Sequence, residues 1–376
     1  MGKTIIMKHP ENCEQKNPKK VLFICKKRKH PYGQIGDENL EKTVSKEDKL
    51  LKSSGLLNSA RFVTFMLNNN GVQSRVVDVV DNNSIDREVK FYNPDYVIIE
   101  ALWVVPEKFE VLTKLYPNVI WIVRLHSEVP FLANEGVAMD WLYKYIEYPN
   151  VHIGVNSEDA YEILSLLLNR EIYYLPNYYP ITKNKNKIKY EKDKNIVDIG
   201  CFGAIRPMKN QLQQAISAIE FGDKINKTIH FHMNTERIEG RGEPILNNIR
   251  ALFKNNSRHR LIEYPWLDHK EFINIVKEMD IGMQVSFSET FNIVTADLVN
   301  NKIPVVVSPE ISWVSNLFKA NPNSTYEIVH KLLFIWKTKF LKLNFLNLCG
   351  LKKYNKESKI MWLKYFKYNE NFKIGE

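Results

Sequence analysis

Two carboxylates eight positions apart, Glu289 and Asp297, lie in the stretch 286–297 (SFSETFNIVTAD). The residues before it, 279–285 (MDIGMQV), form an apolar run of strand type, and a helical pattern starts near Phe291. Glu289 therefore falls just ahead of a helix and Asp297 within it. Between them the backbone N–H groups of Phe291, Asn292 and Ile293 form an anion-binding helix start. A carboxylate, a phosphate cradle and a second carboxylate in that order can hold a sugar, a diphosphate and a ribose. About 80 residues earlier, 196–210 (IVDIGCFGAIRPMKN) reads as a strand, a glycine turn and a basic loop, followed by a helix over 211–221. Gly203 there permits close backbone approach, Arg206 offers a planar fork to phosphate oxygens and Lys209 a point charge. A third segment, 120–128 (IWIVRLHSE), is an apolar strand ending in His126 and Glu128, and ligands gather at such strand ends in parallel sheets. Gly55, in 53–58 (SSGLLN), opens a helix over 57–68.

These segments resemble the retaining glycosyltransferases of the GT-B fold, in the family-4 or glycogen-synthase-like group. The E-x7-E signature of that group stands here as E-x7-D. The resemblance implies that Glu289 contacts donor-sugar hydroxyls and Asp297 grips the ribose. It implies that Arg206 and Lys209 neutralise the donor diphosphate, with Gly203, Gly55 and the 291–293 amides close by. His126 is implied near the reaction centre, where it joins Glu289 as a catalytic residue, and Glu128 and Glu135 are implied on the acceptor side. Asn292 stands where the group usually has Gly, and Asp297 is one methylene shorter than the usual Glu. The resemblance further implies a nucleotide-sugar donor with uridine as the base, retention of configuration, and no metal or other cofactor. The chain has no D-x-D triplet. His230 and His232 alternate in 229–233 (IHFHM) and so share a face as metal ligands would, but are read as ordinary strand histidines.

To position these loops the sequence must supply strands ending at them. Strand-type runs at 21–25, 75–80, 96–100, 119–125, 151–155 and 172–175 alternate with helical stretches such as 57–68, 106–115, 137–147 and 158–168. A second series places strands at 196–201, 228–233, 260–263, 280–285 and 303–307 and helices at 209–221, 243–254, 269–278 and 292–300. The Lys/Asn-rich stretch 177–195 between them reads as a linker. The expected architecture is α/β: an acceptor-side Rossmann-like domain over 1–180, a donor domain over 181–325, and a basic, aromatic helical segment over 326–376 that packs back on the first domain. Roughly 27 residues separate the first strand from its helix, long enough for a functional insertion.

The formal charge of +10 is uneven. Residues 331–376 hold eleven Lys against three Glu, and 1–52 hold thirteen Lys and Arg against seven acids. Basic ends on a neutral-to-acidic body point to a polyanionic surface, duplex DNA or anionic lipid. Segments 126–136 (HSEVPFLANEG) and 288–297 (SETFNIVTAD) are similar to glycosyltransferases encoded by tailed phages, which implies a hydroxymethylated DNA base as acceptor. A surface glycan or lipid-linked acceptor, and an inactive nucleotide- or partner-binding module, stay open beside it. Four dispersed cysteines, a polar start and no long apolar run lead to the expectation of a cytoplasmic protein, with peripheral contact to an anionic membrane as a further option.

Overall fold

The structure, a computed structural model, describes residues 19–27, 55–182 and 193–372, with side chains as far as residue 366. The first six strands are β1 (Lys20–Lys26), β2 (Gln73–Val79), β3 (Tyr96–Glu100), β4 (Ile120–Leu125), β5 (Val151–Val155) and β6 (Ile172–Tyr174). They form one parallel sheet in the order β2-β1-β3-β4-β5-β6. The central strands are Val- and Ile-rich and buried on both faces, as β-branched residues between two helical layers should be. The helices of this half are α1 (Gly55–Asn68), α2 (Ile85–Tyr92), α3 (Pro106–Leu115), α4 (Val129–Leu132), α5 (Ala138–Tyr145) and α6 (Glu158–Leu168).

The second sheet is also parallel. Its strands are β7 (Ile196–Gly200), β8 (Thr228–Asn234), β9 (Arg260–Tyr264), β10 (Ile281–Gln284) and β11 (Val305–Val307), in the order β11-β10-β7-β8-β9. The helices α7 (Gln211–Lys224), α8 (Glu243–Lys254), α9 (His269–Val276), α10 (Ile293–Asn300) and α11 (Thr325–Thr338) accompany it. After β9 the chain returns to the far side of β7 to lay down β10. The crevice at the C-terminal ends of β7 and β10 is thus a topological switch point, where open parallel sheets bind ligands. In the first sheet the order reverses between β1 and β3.

The fold class expected from sequence is the one observed. The stretch read as a linker differs at its start. Residues 175–182 have no regular secondary structure, and Leu175, Asn177 and Tyr179 are buried rather than solvated. The Lys-rich part, 183–192, and the long insertion after β1 lie outside the described residues.

The last helix, α12 (Phe345–Phe372), holds this crossing down. Asn355 exchanges two hydrogen bonds with the Tyr179 backbone, Ser358 Oγ donates to the Asn177 carbonyl, and Trp362 Nε1 donates to the Pro176 carbonyl. Trp362, Tyr365 and Phe366 are buried in the same cluster as Val21, Phe23, Ile98 and Ile122 of the first sheet. Lys352, Lys353, Lys356, Lys359 and Lys364 stay exposed on the other face. Among the described residues no helix is long and apolar enough to cross a membrane.

Candidate active site

The loops after β7 and β10 meet at their switch point. Lys209 closes a short 3-10 turn after β7, Glu289 lies in the loop after β10, and the two form an ion pair with little solvent exposure. Burial pushes the Lys209 ammonium below the usual lysine range, more than Glu289 raises it. The turn is fixed by Asn210, left-handed at φ 55°, whose amide donates to the carbonyls of Val285 (3.2 Å) and Pro322 (2.8 Å). Arg206 reaches Glu239 at 3.6 Å, and its guanidinium lies 4.6 Å from the centre of the Phe131 ring, across the cleft. Its Nε is buried with no hydrogen-bond partner among the described residues. Gly203 has φ +116°, a conformation L side chains rarely adopt, and an added Cβ would meet open space.

Asn292 accounts for its own departure from the expected glycine. It is left-handed (φ 57°), its side-chain oxygen caps α10 by accepting from Thr295 N at 2.8 Å, and its amide donates to Gln284 at 3.0 Å. Asn is among the few residues suited to both tasks. The helix starts at Ile293, so the amides of Phe291, Asn292 and Ile293 precede or open it, and none has a hydrogen-bond partner among the described residues. Asp297 lies one turn in. It is buried and its Oδ1 accepts from Tyr179 Oη at 2.7 Å and His269 Nε2 at 2.8 Å. Burial raises the Asp297 carboxyl above its ordinary range despite these donors. Burial opposes charge on His269, but Asp297 outweighs it and raises the imidazole pKa. Asp297 and His269 line an open cleft together with Gly55, Asn58, Gly203, Asn234 and Trp266.

The opposite wall is built at the ends of β3 and β4. Arg124 and Glu100 are fully buried, and one guanidinium nitrogen bridges both Glu100 oxygens at 3.0 Å. Another donates to Asn177 Oδ1 at 2.5 Å. His126 Nε2 is hydrogen-bonded to Glu100, while Asn156 Nδ2 lies 3.3 Å from His126 Nδ1. Asn156 brings a donor to Nδ1 and Glu100 an acceptor to Nε2, which suits the neutral Nε2–H tautomer, while Arg124 Nη1 brings a donor to within 3.3 Å of Nε2. Burial, reinforced by Arg124, lowers the His126 pKa in the same sense, and Glu100 only partly offsets it. Arg124 and His126 in turn keep the Glu100 carboxylate ionised against burial. Asn156 also donates to Thr290 Oγ1 at 3.0 Å, tying this wall to the residue after Glu289.

Sequence reasoning missed Glu100, Arg124, Asn156, Asn177, Tyr179, Trp266 and His269. Arg124 stood in plain view as a charge inside an apolar strand, which should have demanded a buried counter-charge. Glu128 is buried, and its carboxyl is pushed up to about 7 by desolvation, with Asp159 and Glu310 adding to the effect. Burial also raises Glu135, against Arg206.

No family model matches the chain, and no curated protein does. Solved structures do. Sucrose-phosphate synthase from Thermosynechococcus elongatus has TM-score 0.62 and 10% identity over 95% of this chain and 100% of its own. An E. coli trehalose-6-phosphate structure bound with UDP-2-fluoro glucose has TM-score 0.61 and 12% identity, over 93% and 98%. S. aureus TarM, in complex with Fondaparinux, alpha-GlcNAc-glycerol and UDP, has TM-score 0.55 and 15% identity over 72% of this chain. The chain spans about half of TarM's length, 55%. The fold is that of the GT-B glycosyltransferases, two parallel Rossmann-like sheets facing a cleft.

Proposed function

We propose that this chain is a retaining glycosyltransferase that moves a sugar from a nucleoside-diphosphate donor, UDP-linked, to an acceptor hydroxyl. The observation that carries the reading is the Lys209–Glu289 pair at the switch point, beside the unpaired Arg206 Nε and the open amides of 291–293. Incoming diphosphate takes the donors: Lys209, Arg206 and the 291–293 amides stabilise charge on the leaving phosphate, without a metal. Glu289, released from Lys209, orients the sugar hydroxyls. Asp297, with Tyr179 and His269, faces the ribose, and Trp266 flanks the base in the cleft that Gly55 and Gly203 border. The UDP and UDP-2-fluoro glucose held by two of the similar structures support uridine as the base.

His126, neutral and engaged at both ring nitrogens, positions the sugar rather than exchanging protons. The leaving phosphate then deprotonates the acceptor hydroxyl on the same face, which gives retention. The acceptor side is acidic: Glu310 adds to the upward push of burial on Glu128, and burial raises Glu310 itself, with Asp159 and Glu289 adding to it. Such a rim favours a neutral, hydroxyl-rich acceptor, a glycan or polyol, whose hydroxyls donate to carboxylates, over a phosphate backbone. A hydroxymethylated base in DNA is the second reading, favoured by the exposed lysines of α12 and the basic chain ends.

UDP release from a panel of UDP-sugars, with simple glycosides or with hydroxymethylcytosine DNA, tests both, and NMR of the product's anomeric proton tests retention. Glycoside-stimulated release with an axial-to-axial outcome is expected. Stimulation by DNA alone transfers the proposal to the base acceptor. No release with any donor overturns the enzyme reading in favour of a binding module.

A further inference from the structure

The two alternating histidines of β8 do not stand alone. Asp198, their neighbour on β7, is in register with His230, and His232 projects from the same face two residues on. Asp198 Oδ1 lies 3.0 Å from His232 Nε2 and 3.5 Å from His230 Nδ1, and one ligand atom from each residue falls within 4.8 Å of the others. Around a tetrahedral zinc ion, with ligand bonds of about 2.0–2.2 Å, neighbouring ligand atoms are separated by about 3.3–3.5 Å. The Asp198–His230 separation is already there, and the Asp198–His232 one is a few tenths of an ångström shorter, at hydrogen-bond length. The histidine–histidine pair must draw closer, and His230 is the half-buried member of the pair, with ring centroids 6.3 Å apart.

We propose that Asp198, His230 and His232 bind a divalent cation of the zinc class, at a site separate from the donor diphosphate. Two imidazole nitrogens and one carboxylate oxygen suit zinc, cobalt or nickel rather than magnesium or calcium. Three protein ligands leave a fourth position for water.

A second observation supports the site. Tyr264 on β9 places its hydroxyl 2.9 Å from His232 Nδ1 and stacks on the imidazole at 5.7 Å and 17°. Without a cation, Tyr264 donates to Nδ1 and the Nε2–H donates to Asp198. With one, the hydroxyl turns to accept from Nδ1–H, and Nε2 presents its lone pair to the metal. A hydroxyl that can reverse its role in this way is the kind of outer partner that orients metal-binding histidines.

The site also touches the donor loop from behind. The His232 carbonyl accepts from Cys201 N at 2.9 Å, and Asn234 Oδ1 accepts from Gly203 N at 3.3 Å. A cation bridging β7 and β8 stiffens the strand pair from which residues 201–210 spring. Its binding does not depend on what the donor is.

The test uses the full chain, purified without a histidine tag and stripped of metal. Titration with cobalt(II), read by visible absorption, should give one saturable site with an intense tetrahedral-type spectrum, and zinc should displace it in calorimetry. His230→Gln and Asp198→Asn should each lose that site while keeping the wild-type circular dichroism. Tyr264→Phe should weaken it by about 10-fold or more. Wild-type protein showing no saturable binding up to millimolar zinc overturns the proposal. So does unchanged stoichiometry and affinity in the His230→Gln, His232→Gln double variant, which would place the metal elsewhere. Should a variant lose its fold, the wild-type cobalt spectrum decides: a weak, six-coordinate type overturns the assignment.

Discussion

On the wall built from the first sheet, Glu100, Arg124, His126, Asn156 and Asn177 hydrogen-bond one another, and the Arg124 and Glu100 side chains see no solvent. Asn156 Oδ1 alone of this group is left buried without a partner among the described residues. On the facing wall, Lys209 and Glu289 are held to each other, and among the described residues Arg206 Nε is buried without a partner and the amides of 291–293 make no hydrogen bond. The first wall keeps its shape whether or not a ligand is present, because every charge is already answered. The second has partners it can exchange. A diphosphate can draw Lys209 away from Glu289, and the freed carboxylate can turn to sugar hydroxyls.

The sharpest way to break this contrast is to remove one member of each pair. Glu100→Ala leaves Arg124 buried without a counter-charge, and a loss of about 3–5 kcal/mol in denaturant unfolding is expected. Stability within error of wild type would mean that the first wall is not the rigid one. Lys209→Ala should lower transfer by about 10²–10³-fold or more, since it strips charge stabilisation from the leaving phosphate. Its stability loss should be smaller than that of Glu100→Ala, because Lys209 borders the cleft. A Lys209→Met, Glu289→Leu double variant should recover the stability but not the transfer. Recovery of both would show the pair to be structural alone.

The smallest effect concerns pH. Glu128 is raised to about 7 in the folded chain from an ordinary value of 4.5. The folded state therefore holds the extra proton, and wild-type stability falls as pH rises from about 4.5 to about 7 and levels off above. Glu128→Gln has no proton to lose there, so its melting temperature should gain on wild type through that window. A constant difference from pH 4 to 8 would place Glu128 in solvent.

Most of the fold could be read because central parallel strands announce themselves. Runs such as VLFIC, YVIIE and IWIVRL are too short for core helices and too apolar for an exposed sheet face. The α2 helix, IDREVKFY, was overlooked because it buries only Ile85 and Val89. Loop motifs located the switch-point residues, since Gly203, Arg206, Lys209 and Glu289 each lie just past a strand end. What stayed hidden depends on contacts between distant positions. Asn177 meets Arg124 across 53 residues and Ser59 across 118, and Tyr179 meets Asp297 across 118. Local pattern carries no trace of such pairings, and the burial of Asn177 and Tyr179 at the start of the stretch 177–195, read as a linker, was hidden for the same reason.

The grip of α12 on that crossing has a consequence for the order in which the molecule is made. Trp362 meets Pro176 across 186 residues and shares a cluster with Val21 and Phe23. During synthesis the strands of the first sheet emerge before residue 175, yet one face of β1 and β3 gains its final layer only once residues 345–366 have been translated. The amino-terminal half must therefore wait, with part of its apolar face uncovered, while the second half emerges and folds. A ribosome stalled before residue 345 would display a nascent first half that is more open to proteolysis than the same residues in the released protein.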